Sequence, residues 1–324
     1  MTYRLEWMAD ANADLDAAGR RLLGLEKSFA PDVVHLNGYA HADLAWRAPV
    51  VVVAHSCVRT WWRAVHGEDP PPAWDTYTDR VGRGLAAAQV VIAPTQAFLD
   101  MIEGAYGPVS AARVVTNGRI MPRRTSADGK EPVILCAARL WDEAKDVRTL
   151  DAAAAAFPLP VYVAGATVDP SGSGREAFAH VRPLGALSDA ALRRWFDRAA
   201  VFVSPALYEP FGLAVLEAAQ SRCALVLSDI PTLRELWDGA ALFVPPRDTL
   251  ALAGALAHLA EDQDRLSRLG AAAAWRAQHY SRERMVQGTL AAYTEAASRF
   301  RTDADTAVVR ATVPLVARPL GAAT

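Results

Sequence analysis

What these 324 residues have little of narrows the answer first. There are 3 cysteines, Cys57, Cys136 and Cys223. They are widely spaced and form no C-x-x-C pair, so neither a disulfide framework nor a cysteine zinc site is expected. No apolar run reaches the roughly 18 residues that span a bilayer. Residues 1–10 carry Arg4, Glu6 and Asp10 and lack the apolar core of a secretory signal. The expectation is a cytoplasmic protein. An excess of one charge is missing too: 36 acidic residues stand against 34 basic ones, a net charge of −2. A dedicated nucleic-acid partner is therefore not expected. No G-x-G-x-x-G follows a strand, which removes the usual dinucleotide fingerprint. The Ser171-Gly172-Ser173-Gly174 turn lacks the Lys-Ser or Lys-Thr of a phosphate loop. His35, His41, His55 and His66 crowd one span, but no two have i, i+4 spacing and no carboxylate motif joins them. No metal is expected there.

Residues that are present point to two domains, as the length itself suggests. Residues 3–8 read as a short strand and residues 11–29 as an amphipathic helix, with Leu15, Ala18, Leu22 and Leu25 at helical spacing. Residues 32–37, 49–54 and 89–93 read as buried parallel strands, the second with four consecutive valines. Thr95 caps a helix reaching residue 106, and residues 113–118 form a short strand and turn. Further strands are expected at residues 132–137, 160–165, 181–185, 199–203, 223–228 and 241–244. Helices alternate with them, and residues 245–300 form a helical region with a break at Ser281. This alternation implies parallel α/β sheets. Residues 58–75, with Arg59, Trp61, Trp62, Arg63 and Trp74 in a Pro-rich setting, read as a loop. It would face an acceptor, touch a membrane surface or simply pack.

The most informative stretch runs from Ser204 to Glu217. It joins a buried strand to a helix through Tyr208-Glu209-Pro210-Phe211-Gly212-Leu213. Pro210 suits the first helical turn, and Gly212 lets the backbone approach something bulky. Free N–H groups at Phe211, Gly212 and Leu213 would make an anion site. Two carboxylates beside an anion must bind something else, and hydroxyl groups are the natural choice. A diphosphate flanked by two polyols, as in a nucleotide-sugar, fits. Glu217 would take the ribose and Glu209 the sugar.

Glu209 and Glu217, eight apart around Pro-Phe-Gly-Leu, resemble the paired-glutamate signature of the family-4 retaining glycosyltransferases. That resemblance implies the GT-B fold, two Rossmann-like domains facing a cleft. It also implies a nucleotide-sugar donor, no cofactor and no metal. Arg139 and Lys145, six apart after a strand, match the family's diphosphate-binding cations. His55, closing Val-Val-Ala-His, matches a histidine near the donor sugar. Gly165, Arg182 and Leu184 match positions that line the nucleotide. The catalytic set so implied is Glu209, His55, Arg139 and Lys145. The donor-binding set is Arg139, Lys145, Gly165, Arg182, Leu184, Phe211, Gly212, Leu213 and Glu217.

The first domain departs from the family. Nothing before Asp32 resembles its opening strand and Gly-rich loop, so the expectation is either a first domain lacking its opening strand-helix unit or a true start upstream. The expected organisation is an incomplete amino-terminal domain at 1–121, a linker at 122–131, a nucleotide-sugar domain at 132–280, a returning helix at 281–300 and a tail at 301–324. A carbohydrate, lipid or small-molecule acceptor is expected, with scope for peripheral membrane contact. An exposed sheet edge would invite oligomer contacts. The alternative reading is a catalytically impaired nucleotide-sugar-binding protein or partner subunit.

Overall fold

The computed structural model describes residues 3–8, 10–120, 129–169 and 177–312, with side chains described to residue 302. Residues 171–174 and most of the expected linker lie outside the described residues. In the first half, α1 (Asn12–Phe29) precedes β1 (Val34–Leu36) and β2 (Val50–Val53). Then come α2 (Val58–His66), α3 (Asp75–Ala87), β3 (Val90–Ala93), α4 (Gln96–Tyr106) and β4 (Ala112–Val114). The four strands form one parallel sheet in the order β1-β2-β3-β4.

The valine run of β2 is explained by burial on both faces, as expected where helices cover a parallel sheet. Alternate side chains point to opposite faces. Val50 and Val52 pack with Tyr39, Leu85 and Phe98. Val51 and Val53 pack with Ala292 and Ala296 from the end of the chain. Thr95 caps α4 by accepting from the Phe98 N–H.

The second half contains β5 (Glu131–Ala137), α5 (Val147–Ala154), β6 (Val161–Ala164), β7 (Arg182–Gly185), α6 (Asp189–Arg198), β8 (Ala199–Ser204), α7 (Leu213–Gln220), β9 (Ala224–Ser228), α8 (Pro231–Trp237), β10 (Leu242–Val244), α9 (Thr249–Glu261), α10 (Gln263–Ala277) and α11 (Arg282–Thr312). Its six strands are all parallel, in the order β10-β9-β8-β5-β6-β7. One face buries Leu135, Phe202, Leu225 and Leu227 against Leu216 and Trp237. The other buries Ile134, Val201, Val203 and Val226 against Leu150 and Leu256. Among the described residues no helix is long and apolar enough to cross a membrane.

Several expectations need correction. Residues 3–8 form no strand; the Glu6 carboxylate instead turns inward and accepts from the N–H groups of Tyr39 and Ala40. The strand at 32–37 is shorter and half-exposed, because β1 is an edge with a neighbour on one side only. Residues 58–75 are not a loop. Thr60 and Val65 give residues 58–66 a buried helical face, and Gly67 ends the helix in the left-handed region. Pro210 lies outside the first turn of α7, two residues before the Gly212 cap. The region at 245–300 has a second break, at Asp262, whose side chain caps α10. α11 continues through Thr312, past the expected start of the tail. No glycine or proline interrupts residues 301–312, and Pro314 follows.

Candidate active site

The carboxyl ends of the two sheets meet through the loops that follow β2, β3, β5 and β8. The amide of Leu207, after β8, donates to the Ala144 carbonyl, after β5, at 2.8 Å. Tyr208 then inserts into the first domain. Its hydroxyl accepts from the Cys57 N–H at 3.0 Å and shares a hydrogen bond with Thr60 Oγ1 at 2.8 Å. Burial pushes the Tyr208 phenol well above its ordinary value. Thr95 Oγ1, after β3, donates to the Pro210 carbonyl at 3.1 Å. Glu235 of α8 accepts from the Gln96 and Ala97 amides at the start of α4. These contacts fix the loop between Ser204 and Leu213 against both domains.

Within that frame one expected cation, Lys145, and one expected carboxylate, Glu209, come together. Lys145 Nζ lies 2.8 Å from Glu209 Oε2 and donates to the Tyr208 carbonyl at 3.2 Å. Both side chains are largely withdrawn from solvent, at 12% and 22% exposure. A desolvated pair of this kind interacts more strongly than a surface pair. Arg139, on the same loop after β5, is 61% exposed, with Nη2 2.7 Å from the buried carboxylate of Asp142. Asp142 also accepts from Trp61 Nε1 of α2 and from the Ala144 amide.

Two glycines are dictated by geometry. Gly212 has φ +86°, a conformation that disfavours side chains, and a Cβ there would lie 3.0 Å from Val215 Cγ2. Gly165 has φ +144°, and a Cβ there would fall 1.7 Å from the Ala138 carbonyl oxygen. Gly165 thereby lets the end of β6 press against the loop that carries Arg139. The amides of Phe211, Gly212 and Leu213 have no partner among the described residues. The Phe211 side chain is buried in the core, edge-on to Tyr280, so only its backbone is available to a ligand.

Glu217, on the second turn of α7, points at Arg119 rather than bulk water: Oε1 is 2.8 Å from Nη2. Burial raises its pKa, while Arg119 opposes the shift. Arg119 escaped the sequence reading because it lies outside every motif. Only its place at the crossover, in a bridge to Ser281, brings it to α7. His55 follows β2 at the rim, with Nε2 2.9 Å from Asn37 Oδ1. Leu184 packs partly into the core of the second sheet. Arg182 is not gathered with the others. It starts β7, at the end of the sheet away from these loops, with its guanidinium over the Tyr162 ring. That stacking partner, paired with it across β6 and β7, explains its position. Among the described residues no group of three or more metal-ligating side chains gathers.

Two parallel α/β domains whose strand ends meet at such a site define the GT-B class of glycosyltransferase. Comparisons with known proteins agree. Residues 6–119 match the model described as Glycosyltransferase Family 4, and residues 131–262 match Glycosyl transferases group 1. The two matches follow one another along the chain, one on each sheet, and the chain belongs to the family-4 glycosyltransferases. It is 28% identical over 316 residues to a glycogen synthase of Mycobacterium tuberculosis, covering 83% of this chain and 70% of that one. It is 30% identical to the O-antigen chain mannosyltransferase B of Escherichia coli over 113 residues, 35% of this chain and 30% of the relative. In structure it is similar to the sucrose-phosphate synthase of Thermosynechococcus elongatus (TM-score 0.72, 20% identity, 91% of this chain and 79% of that one). It is also similar to Anabaena HepE in complex with UDP-glucose (TM-score 0.69, 18% identity, 86% and 82%).

Proposed function

We propose that this glycosyltransferase takes its sugar from a nucleotide-diphosphate sugar and transfers it with retention of configuration, without a metal ion. The observation that carries the reading is the Lys145–Glu209 pair at 2.8 Å, set where the loop from β8 enters α7. Lys145, Arg139 and the amides at Gly212 and Leu213 hold the diphosphate, with Gly165 supporting the Arg139 loop. Negative charge grows on the leaving phosphate in the transition state. Fixed cations and N–H dipoles stabilise it without reorganising. Glu217 accepts from the ribose hydroxyls. Glu209 exchanges part of its bond with Lys145 for a sugar hydroxyl, and the Leu184 backbone frames the base. His55 reaches the donor sugar from the opposite domain.

The leaving phosphate oxygen accepts the proton of the acceptor hydroxyl on the face of the sugar it departs from. No side chain then has to act as general base. The acceptor is a carbohydrate, a lipid or a small molecule, and the protein acts in the cytoplasm, with membrane contact peripheral where it occurs. The half-exposed edge strand β1 is the place for oligomer contacts. The alternative of an impaired binding subunit is not favoured, since both domains match the family models.

A thermal-shift screen with UDP, GDP and ADP tests the donor site, because a ligand that binds only the folded state raises the melting temperature. The expected result is a rise with one of them that Lys145→Ala abolishes. No shift with any of the three would overturn the reading. Stereochemistry is read by NMR of the product linkage, and an inverted product would reject retention.

A further inference from the structure

A chain of neutral hydrogen bonds runs from the last helix to the rim of the site. Tyr293 of α11 places its hydroxyl 2.8 Å from His35 Nδ1. His35 Nε2 is 3.3 Å from Asn37 Oδ1. The same oxygen is 2.9 Å from His55 Nε2. His35 and Asn37 lie on and just after the edge strand β1, while His55 follows β2 by two residues.

An amide oxygen can only accept. Both imidazoles must therefore donate from Nε2, and in a neutral ring the other nitrogen is then a bare lone pair. For His35 that lone pair accepts from the Tyr293 hydroxyl. For His55 Nδ1 there is no partner among the described residues, and the residue keeps an exposed side, next to Ser56 and Cys57, which bond Tyr208. We propose that Asn37, backed by His35 and Tyr293, is a positioning residue that locks His55 as the Nε2–H form and leaves Nδ1 to accept a hydrogen bond from a sugar hydroxyl. The inference rests on the donor reading above, and it assigns His55 to hydroxyl recognition rather than to neutralising the leaving phosphate.

The surroundings agree. Although one side of His55 is exposed, partial burial, and then the nearby His35, hold its pKa below the ordinary imidazole value. The ring therefore stays neutral near pH 7. Tyr293 is itself pushed up by burial, which keeps its proton in place as a donor. The edge-on packing of His35 against Tyr293, with ring centroids 5.7 Å apart, fixes the far end of the chain. The residues involved come from both ends of the sequence, so the state of His55 depends on α11 being docked.

Long-range nitrogen–proton NMR on the full chain with labelled histidine reads the form of each ring directly, with no donor needed. The expected result at pH 7 is Nε2–H for both His35 and His55. Nδ1–H on both rings, which a reversed Asn37 amide would impose, overturns the proposal. The functional arm measures donor hydrolysis without acceptor, using whichever of UDP-glucose, ADP-glucose and GDP-mannose turns over fastest. Asn37→Ala is expected to lower kcat/KM about tenfold, the order of one lost hydrogen bond, with the melting temperature unchanged. Tyr293→Phe should lower it less. In a His55→Ala background both losses should vanish, since residues that act through one another are not additive. Full additivity overturns the relay while leaving the donor site intact. A His55→Ala protein with wild-type rates instead removes His55 from the site, a failure of the donor reading that the NMR result does not share.

Discussion

The two domains meet the same cleft with different chemistry. The six-stranded domain brings charge: Lys145 against Glu209, Arg139 against Asp142, and Glu217 facing Arg119. The four-stranded domain brings His55, Asn37 and His35, linked by neutral hydrogen bonds. Its own paired cations, Arg59 and Arg63, are spent elsewhere. Both bind Asp69 and the carbonyls that end α4. The division follows from what each part of a nucleotide-sugar needs. A diphosphate wants fixed positive charge in a dry setting, whereas a sugar wants directional partners with no net charge.

The sharpest way to break this contrast is to remove charge on one side and then on the other. Lys145→Ala or Glu209→Ala should reduce turnover by about 10²–10³, the loss seen when a preorganised electrostatic partner of a transition state is deleted. Arg139→Ala should fall toward the lower end, because that side chain is more exposed. Arg59→Ala and Arg63→Ala should leave turnover within about twofold. Steady-state kinetics with equal melting temperatures checks both halves. A large loss at Arg59 with little at Lys145 would reverse the assignment of the two domains.

The next effect is structural and confined to the charged domain. Gly165→Ala places a methyl where the Ala138 carbonyl now sits, at a φ of +144°. Backbone must move, and a cost of roughly 2–4 kcal/mol is expected from strain and overpacking together. Urea unfolding measures it. Gly185→Ala, also at positive φ but with open space around it, should cost about 1 kcal/mol. Equal losses at the two would mean that the close approach to the Arg139 loop is unimportant.

The same contrast explains what the sequence disclosed. Apart from β7, the strands of the second domain are mostly apolar runs, and the loops after β5 and β8 have chemistry that is local. Lys145, Glu209, Gly212 and Glu217 could be placed from neighbours a few residues away. Arg119 and Tyr293 could not, since each matters through a partner more than 90 positions distant: Glu217 for Arg119 and His35 for Tyr293. Residues 58–66 were misread because tryptophans and arginines dominate the segment. Its helix is set by a buried face of only Thr60 and Val65. A motif gives order along the chain but not which end of a strand a residue occupies, and Arg182 starts β7.

A third test sharpens the Glu217 side by pH. Burial raises the Glu217 pKa, Arg119 and Arg193 lower it, and Asp189 raises it. A carboxyl group whose folded value is raised stabilises the fold most when protonated. That contribution is present below the ordinary glutamate range and lost as pH rises through the raised value. Ribose binding runs the other way, since the carboxylate is the better acceptor. Donor affinity should thus fall as pH drops through the raised value. Arg119→Ala should move that fall to higher pH, because the stabilising cation is gone. Calorimetric titration of the binding nucleoside diphosphate across pH 5–8 follows it, and an unmoved acid limb would detach Arg119 from Glu217.

The smallest expected effect lies on the uncharged side of the contrast. Hydrogen bonds from Arg59 and then Arg63 hold the Asp69 carboxyl far below the usual carboxylate range. A depressed value means stability present above the ordinary aspartate range and lost as pH falls through the folded one, so any effect belongs below about pH 4. Yet Asp69 is half-exposed, and water and salt screen what the geometry offers. Asp69→Asn should therefore leave the melting temperature at pH 7 nearly unchanged in 0.15 M salt, and differ from the parent chiefly at low ionic strength. A large loss at physiological salt would show that the cluster does more than tie α2 to the end of α4, and the first domain would then hold a second set of working charges.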